Sequence, residues 1–323
     1  MTGATARAGE TFGFVTRYNC GICERIEPAF QPHQGTGMRH SFGNAKRCKF
    51  VSIVVLIFAA SFVPPASSNA DDTPNDRAAE KAQRLKYLTE LAGNMLVTLN
   101  EPASATGILD TQPVLRYSNP VRNFFSDGAV YLWRHDDQPI LLGALSVRGN
   151  GAVFCEFATL QSTPLRCDIA NGRPAWTPEK TSQVDVPLSV EGLPSANRQA
   201  FVMRRLIRRF KIQMQEPNDP DNVKELRLLN KPLIEWSDEK TNSTAMCFGF
   251  TETNDPEGLV IIKYNGSPSP NQSQWTYTLA RMTSRPLSFY LDGQSIYEVK
   301  GYWSNPRSPK DSYLEQRLSE YNP

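Results

Sequence analysis

The chain has 323 residues, 40% hydrophobic and 21% charged, with 35 Lys/Arg against 33 Asp/Glu. That composition is globular, and the near balance of charge excludes a protein built mainly to bind nucleic acid, which needs a basic excess. The small positive excess belongs to residues 1–70, so the body of the chain is slightly acidic.

Residues 1–37 are read as an extension ahead of a translation start at Met38, and residues 38–70 as a signal peptide. Arg39, Lys46, Arg47 and Lys49 precede the apolar run Phe50–Val63. That run is short for a membrane span, which needs roughly 20 residues, and suits the apolar core of a secretory signal, roughly 7–15 residues long. Pro64-Pro65 and then Ser68-Asn69-Ala70 follow, with cleavage expected before Asp71. Export to the periplasm, envelope or exterior is therefore expected, with no membrane span once the signal is removed; an uncleaved anchor is the alternative. Cys20 and Cys23 stand at CxxC spacing, but no second pair follows and His33 and His40 do not complete a zinc finger.

In the mature chain Asp71–Asn100 is predicted as a helix, with Thr73 as N-cap and a stripe of Leu85, Leu88, Ala92, Met95 and Leu99. Strands are predicted at Ala129–Arg134, Pro139–Val147 and Ala152–Leu160, joined by the polar tip 135–138 and the turn Arg148–Gly151. A proline-punctuated connection carrying Trp176 leads to a second predicted helix, Asn197–Met214, striped by Met203, Leu206, Ile207, Phe210 and Met214. Strands resume at 226–229, 245–250, 259–264, 275–280, 287–291 and 296–299, with a turn at Asp292-Gly293 between the last two.

The halves resemble each other. Leu115-Arg116 can be set against Leu226-Arg227, Ala129–Trp133 against Ala245–Phe250, and Ala158, Ser162, Pro164 and Leu165 against Ala280, Ser284, Pro286 and Leu287. The expected fold class is α+β: two helix-plus-antiparallel-sheet units in a cystatin-like arrangement, at 71–194 and 195–304, with a polar tail at 305–323.

Few chemistries survive inspection. His135 is the only histidine after Ala70, and no HExxH, GxSxG, Walker A or helix-opening GxGxxG sequence occurs. No metal site and no cofactor are expected. Asp136-Asp137 and Asp255/Glu257 occupy tips of the two halves, so Asp137, Asp255 and Glu257 are the candidate catalytic acids, although turns favour acids for their own sake. Asp219–Glu225 lacks the glycine and ligand spacing of a calcium loop. Arg204, Arg205, Arg208 and Arg209 on the second helix are candidates for binding an anion or an anionic membrane surface, against the plainer reading of a solvated face. Of the mature cysteines, Cys155 and Cys167 are the candidate disulfide and Cys247 a buried thiol in an apolar strand.

At Leu226-Arg227-Leu228-Leu229 with Pro232-Leu233, and at Ala129–Trp133 through Glu156–Leu160, the chain resembles an uncharacterised family of exported bacterial proteins. The resemblance implies export and a related fold, and carries no activity or residue role with it. The expected function is a non-catalytic binding or cell-envelope role toward an unknown ligand or envelope component. A hydrolase of an envelope or extracellular substrate, working through the three acids, is the alternative, and attachment to an anionic membrane through residues 197–214 is a third.

Overall fold

The computed structural model describes residues 74–100, 105–119, 126–169, 174–179, 183–190, 198–217, 219–266, 274–302 and 308–322, all within the unit Ser68–Pro323. The expected extension and signal segment, the Cys20–Cys23 pair and Thr73 lie outside these residues. Among the described residues no helix is long and apolar enough to cross a membrane.

Helix α1 (Pro74–Gly93) leads into β1 (Leu96–Leu99), β2 (Ala105–Thr106), β3 (Ile108–Leu109) and β4 (Leu115–Asn119). Then come β5 (Ser126–His135), β6 (Gln138–Arg148), β7 (Ala152–Thr159), β8 (Leu165–Asp168) and β9 (Gln183–Pro187). Helix α2 (Gln199–Leu206) runs through a 3-10 turn (Ile207–Arg209) into β10 (Phe210–Glu216), β11 (Asp219–Glu225), β12 (Arg227–Leu228) and β13 (Ile234–Asp238). The chain ends with β14 (Ser243–Thr251), β15 (Gly258–Asn265), β16 (Trp275–Arg281), β17 (Leu287–Leu291), β18 (Gln294–Val299) and β19 (Tyr313–Glu320).

The fold is mostly antiparallel β, in four sheets, and this corrects the expected α+β class and the cystatin-like pair of helix-plus-sheet units. The correction has one cause, repeated twice. Met95 and Leu99, like Phe210 and Met214, are four residues apart, a spacing that fits a helix face and also alternate positions of a strand. Val97 and Ile212 between them are fully buried too, so the true period is two and both stretches are strands. The predicted polar tail likewise supplies β19, which pairs along β7.

Strand pairing repeats between the halves. The smaller sheets run β2-β1-β8 and β11-β10-β17-β18; the larger run β3-β5-β6-β7-β19 and β12-β14-β15-β16-β9, with β4 on β5 and β13 on β14. Registers agree residue by residue: Ser126 faces Arg148 as Ser243 faces Asn265, and Leu142 faces Ala158 as Leu259 faces Ala280. Hydrogen bonds outside the ladders repeat as well. Asp110 N to Leu132 O matches Leu229 N to Gly249 O, Val114 N to Val130 O matches Leu233 N to Cys247 O, and Leu160 N to Ile140 O matches Met282 N to Glu257 O. These registers make Leu115 equivalent to Ile234, since Leu115 faces Val130 and Ile234 faces Cys247, and so displace the expected match of Leu115 with Leu226.

Burial follows the same scheme. One core lies between α1, the first small sheet and one face of the first large sheet, around Leu88, Val97, Leu145 and Phe157. A second lies beneath α2, around Met203, Ile212, Val260 and Phe289. A third joins the large sheets face to face through Val130, Leu142, Ala144 and Ala158 and their equivalents Cys247, Leu259, Ile261 and Ala280. The two hairpin tips reach across reciprocally. Gln138 Nε2 donates to Ser237 O (3.3 Å), and Asn254 Nδ2 donates to Ser118 O (3.2 Å), the contact expected of two copies related by a near two-fold axis.

Candidate functional site

Beneath α1 the helix is tied to the sheet by buried charge. Asp127 on β5 is 1% exposed, and its carboxylate accepts from Arg116 Nη2 (2.6 Å) and Arg84 Nη1 (3.4 Å). Arg116 Nη2 also donates to the Lys81 carbonyl oxygen, and Thr89 Oγ1 meets the Tyr131 hydroxyl at 3.0 Å. Burial pushes the Asp127 carboxyl above its usual value, and the facing Arg116 and Arg84 offset this only in part.

The equivalent space beneath α2 is built differently. Asp127 faces Ser118 as Thr244 faces Ser237, and Arg116 faces Ala129 as Glu235 faces Met246. Val97 and Ile212 hold matching places in β1 and β10, so counting back along each helix sets Gln199 where Arg84 stands. The ionic tie thus becomes a hydrogen bond from Thr244 Oγ1 to Gln199 Oε1, with Glu235 turned to Arg204 at 2.5 Å. Between α2 and the sheet a cleft of about 400 Å³ opens, walled by Ala200, Met203 and Met246 and edged by Gln199, Thr244 and Glu235. Along β13 it adjoins a wider, polar cleft of about 630 Å³ that shares Glu235, Trp236 and Ser237 and also takes in Arg134, Asp136, Asp137, Asp238, Glu239 and Lys240.

The acids singled out in the sequence are not gathered into one site. Asp136 and Asp137 form the two-residue tip of the β5–β6 hairpin with φ of 47° and 61°, a type I′ geometry that Asp tolerates. Asp255 and Glu257 are both buried in the β14–β15 turn, where Thr253 Oγ1 donates to Asp255 Oδ1 (3.0 Å). That turn bonds to Ser118, which faces Asp127 at the far end of β5, so the length of the strand, about 25 Å at roughly 3.3 Å per residue, separates it from Asp137. The basic residues divide. Arg204 pairs with Glu235, Arg209 pairs with Asp292 and donates to the Ser189 carbonyl, and Arg205 and Arg208 are exposed without an acidic partner among the described residues. Cys155, Cys167 and Cys247 are buried and none is in a disulfide, so the expected Cys155–Cys167 bond is not formed. Burial pushes the Cys167 thiol up to about 12 and raises Cys247 as well, which leaves neither as a nucleophile. No group of three or more His, Cys, Asp or Glu side chains among the described residues is placed to hold a metal ion.

No protein-family model, curated protein or solved structure matches the chain. Function must therefore be read from the geometry.

Sequence reasoning missed two features. One is the cleft beneath α2, whose signal is the set of unlike residues at matched positions of the repeat: Gln199 for Arg84, Thr244 for Asp127, Glu235 for Arg116. The other is a clasp on β19. Glu156 and Glu315 face each other across β7 and β19, where like charges repel. The Tyr313 hydroxyl donates to Glu156 Oε1 (2.7 Å) and Arg148 Nη2 to Glu315 Oε1 (2.8 Å). Buried Arg281 lies 4.8 Å over the Tyr313 ring and donates to the carbonyls of Thr283, Lys300 and Arg285. These bonds fasten the last strand to both large sheets.

Proposed function

We propose that the chain is an exported, non-catalytic binding protein whose ligand occupies the cleft beneath α2. The observation that carries this reading is the difference between matched places in a repeated fold: a closed ionic tie under α1, an open cleft of about 400 Å³ under α2. A cleft of that size falls in the range of small-molecule sites, and its mixture of apolar wall and few polar groups is what such sites use. The dispersal of Asp137, Asp255 and Glu257 and the burial of all three thiols weigh against hydrolysis. The basic charge toward residues 1–70 and the apolar run Phe50–Val63 support export.

The test is native mass spectrometry of protein purified from its own cells, paired with thermal unfolding of the wild type and an Ala200→Trp variant that fills the cleft. A processed chain with a small co-purifying mass, lost in Ala200→Trp, is the expected result. A bare chain in both forms would count against the reading.

A second reading rests on its own observation. Phe201 is 67% exposed and shares a helix face with Arg205 and Arg208, the pairing of apolar and basic side chains that anionic membranes attract. It requires salt-sensitive sedimentation with anionic vesicles, lost in Phe201→Ser.

A further inference from the structure

We infer that the cleft beneath α2 takes a small organic cation, with a guanidinium or ammonium head group in the place that Arg84 fills in the first half. This rests on the reading of the cleft as a binding site and names its ligand class.

Three observations carry it. The first is the repeat itself: under α1 the guanidinium of Arg84 crosses to a buried carboxylate, and at the matched place under α2 the helix carries the shorter Gln199 while the sheet still presents oxygens; the α2 guanidinium that does reach the sheet, Arg204, goes instead to the half-exposed Glu235. Glu235 adds a carboxylate where the first half has the cation Arg116, so the sign of the sheet-side charge is reversed and favours an incoming cation. The second is the wall. Met203 and Met246 offer two polarisable thioethers, surfaces suited to the stem of an alkyl cation. The third is the field. The adjoining cleft carries Asp136, Asp137, Asp238 and Glu239. Its two cations are Lys240, which lies 3.7 Å from Asp136, and Arg134, which is bound by Asp110 at 3.1 Å. A hydrogen bond from Thr241 holds the Asp238 carboxyl below its usual value, so it stays ionised. This excess of negative charge steers cations along β13 toward Glu235. Arg204 now faces Glu235, but that pair is about half exposed on both sides and is weak enough to yield to a ligand.

The experiment titrates the protein with agmatine, n-butylammonium, butanamide and butyrate, followed by calorimetry and tryptophan fluorescence at low and moderate salt. Agmatine is expected to bind about tenfold or more tightly than butanamide and butyrate, with affinity falling as salt rises. Glu235→Gln is expected to weaken agmatine about tenfold. The double variant Gln199→Arg/Thr244→Asp, which carries the first half's ionic pair into the second, is expected to abolish binding and raise the unfolding midpoint. Glu235→Gln reads the same question if the double variant does not fold. Equal or tighter binding of butyrate or butanamide, lost in the double variant, overturns the cation while leaving the cleft as a binding site. If a broad small-molecule library gives no hit of any class on the wild type, both the ligand class and the binding reading fall.

Discussion

The two halves pair their strands alike and close their helices differently. In the first half α1 is pinned through Arg84 and Arg116 to a carboxylate that is almost wholly out of water, an arrangement that breaks badly when one partner is lost. In the second, α2 sits on Met203, Leu206 and Ile207 with a Thr244–Gln199 hydrogen bond and the half-exposed Arg204–Glu235 pair beside an open cleft. Apolar burial thus builds both halves, while the polar residues laid over it decide which half is sealed and which is open. A repeated fold supplies its own control, because each unlike residue can be judged against its counterpart.

The largest effect should come from Arg116→Ala. It leaves the buried Asp127 carboxylate with Arg84 alone at 3.4 Å and should cost about 3–4 kcal/mol in urea unfolding. The matched change Glu235→Ala breaks an exposed pair and should cost under about 1 kcal/mol. Equal costs would break the comparison.

Next comes a packing difference. A Cβ at Gly143 would lie 2.5 Å from the Phe157 ring and 2.9 Å from Trp133, whereas the equivalent place on β15 is held by Val260. Gly143→Val should therefore cost roughly 2–3 kcal/mol by overpacking, and Val260→Ala should cost less, about 1–2 kcal/mol through the lost methyl groups. Chemical denaturation of both variants checks the pair.

A smaller effect separates the halves by pH. The Asp127 carboxyl titrates above 3.8, so the folded chain keeps a proton there that the unfolded chain has released, and stability falls as pH rises through that window. Glu216 goes the other way. Burial opposes its charge, but Lys224 at 3.0 Å and Arg285 at 2.5 Å carry it below 4.5, so stability falls as pH drops through the window beneath that value. Urea midpoints between about pH 3 and 6 should lose the first slope in Asp127→Asn and the second in Glu216→Gln.

The smallest expected effect is at the thiols. Peptide mapping after alkylation of the native protein should find Cys155, Cys167 and Cys247 unmodified, because all three are buried, and modified once urea is added.

Much of the strand framework was legible in the sequence. Ala129–Arg134, Pro139–Val147 and Ala152–Leu160 lie within or closely along β5, β6 and β7, because long apolar runs bounded by Asp and Gly turns have few other ways to fold. Asp292-Gly293 is the tight turn expected, with φ of 51° and 82°. Helix ends were not legible, since a spacing of four residues reads the same in both periods until Val97 and Ile212 are counted. The cleft was not legible either. Gln199, Thr244 and Glu235 come from three separate elements, and their meaning lies in the residues they replace, which strand register reveals and linear spacing does not.

Hydrogen exchange, read in one sample for both helices, tests the contrast most directly. We expect the amides of Met203–Leu206 in α2 to exchange well before those of Leu88–Leu91 in α1, and agmatine to slow the first set without changing the second. Equal protection of the two helices, or slowing in α1, would contradict the view that one half is sealed and the other built to be filled.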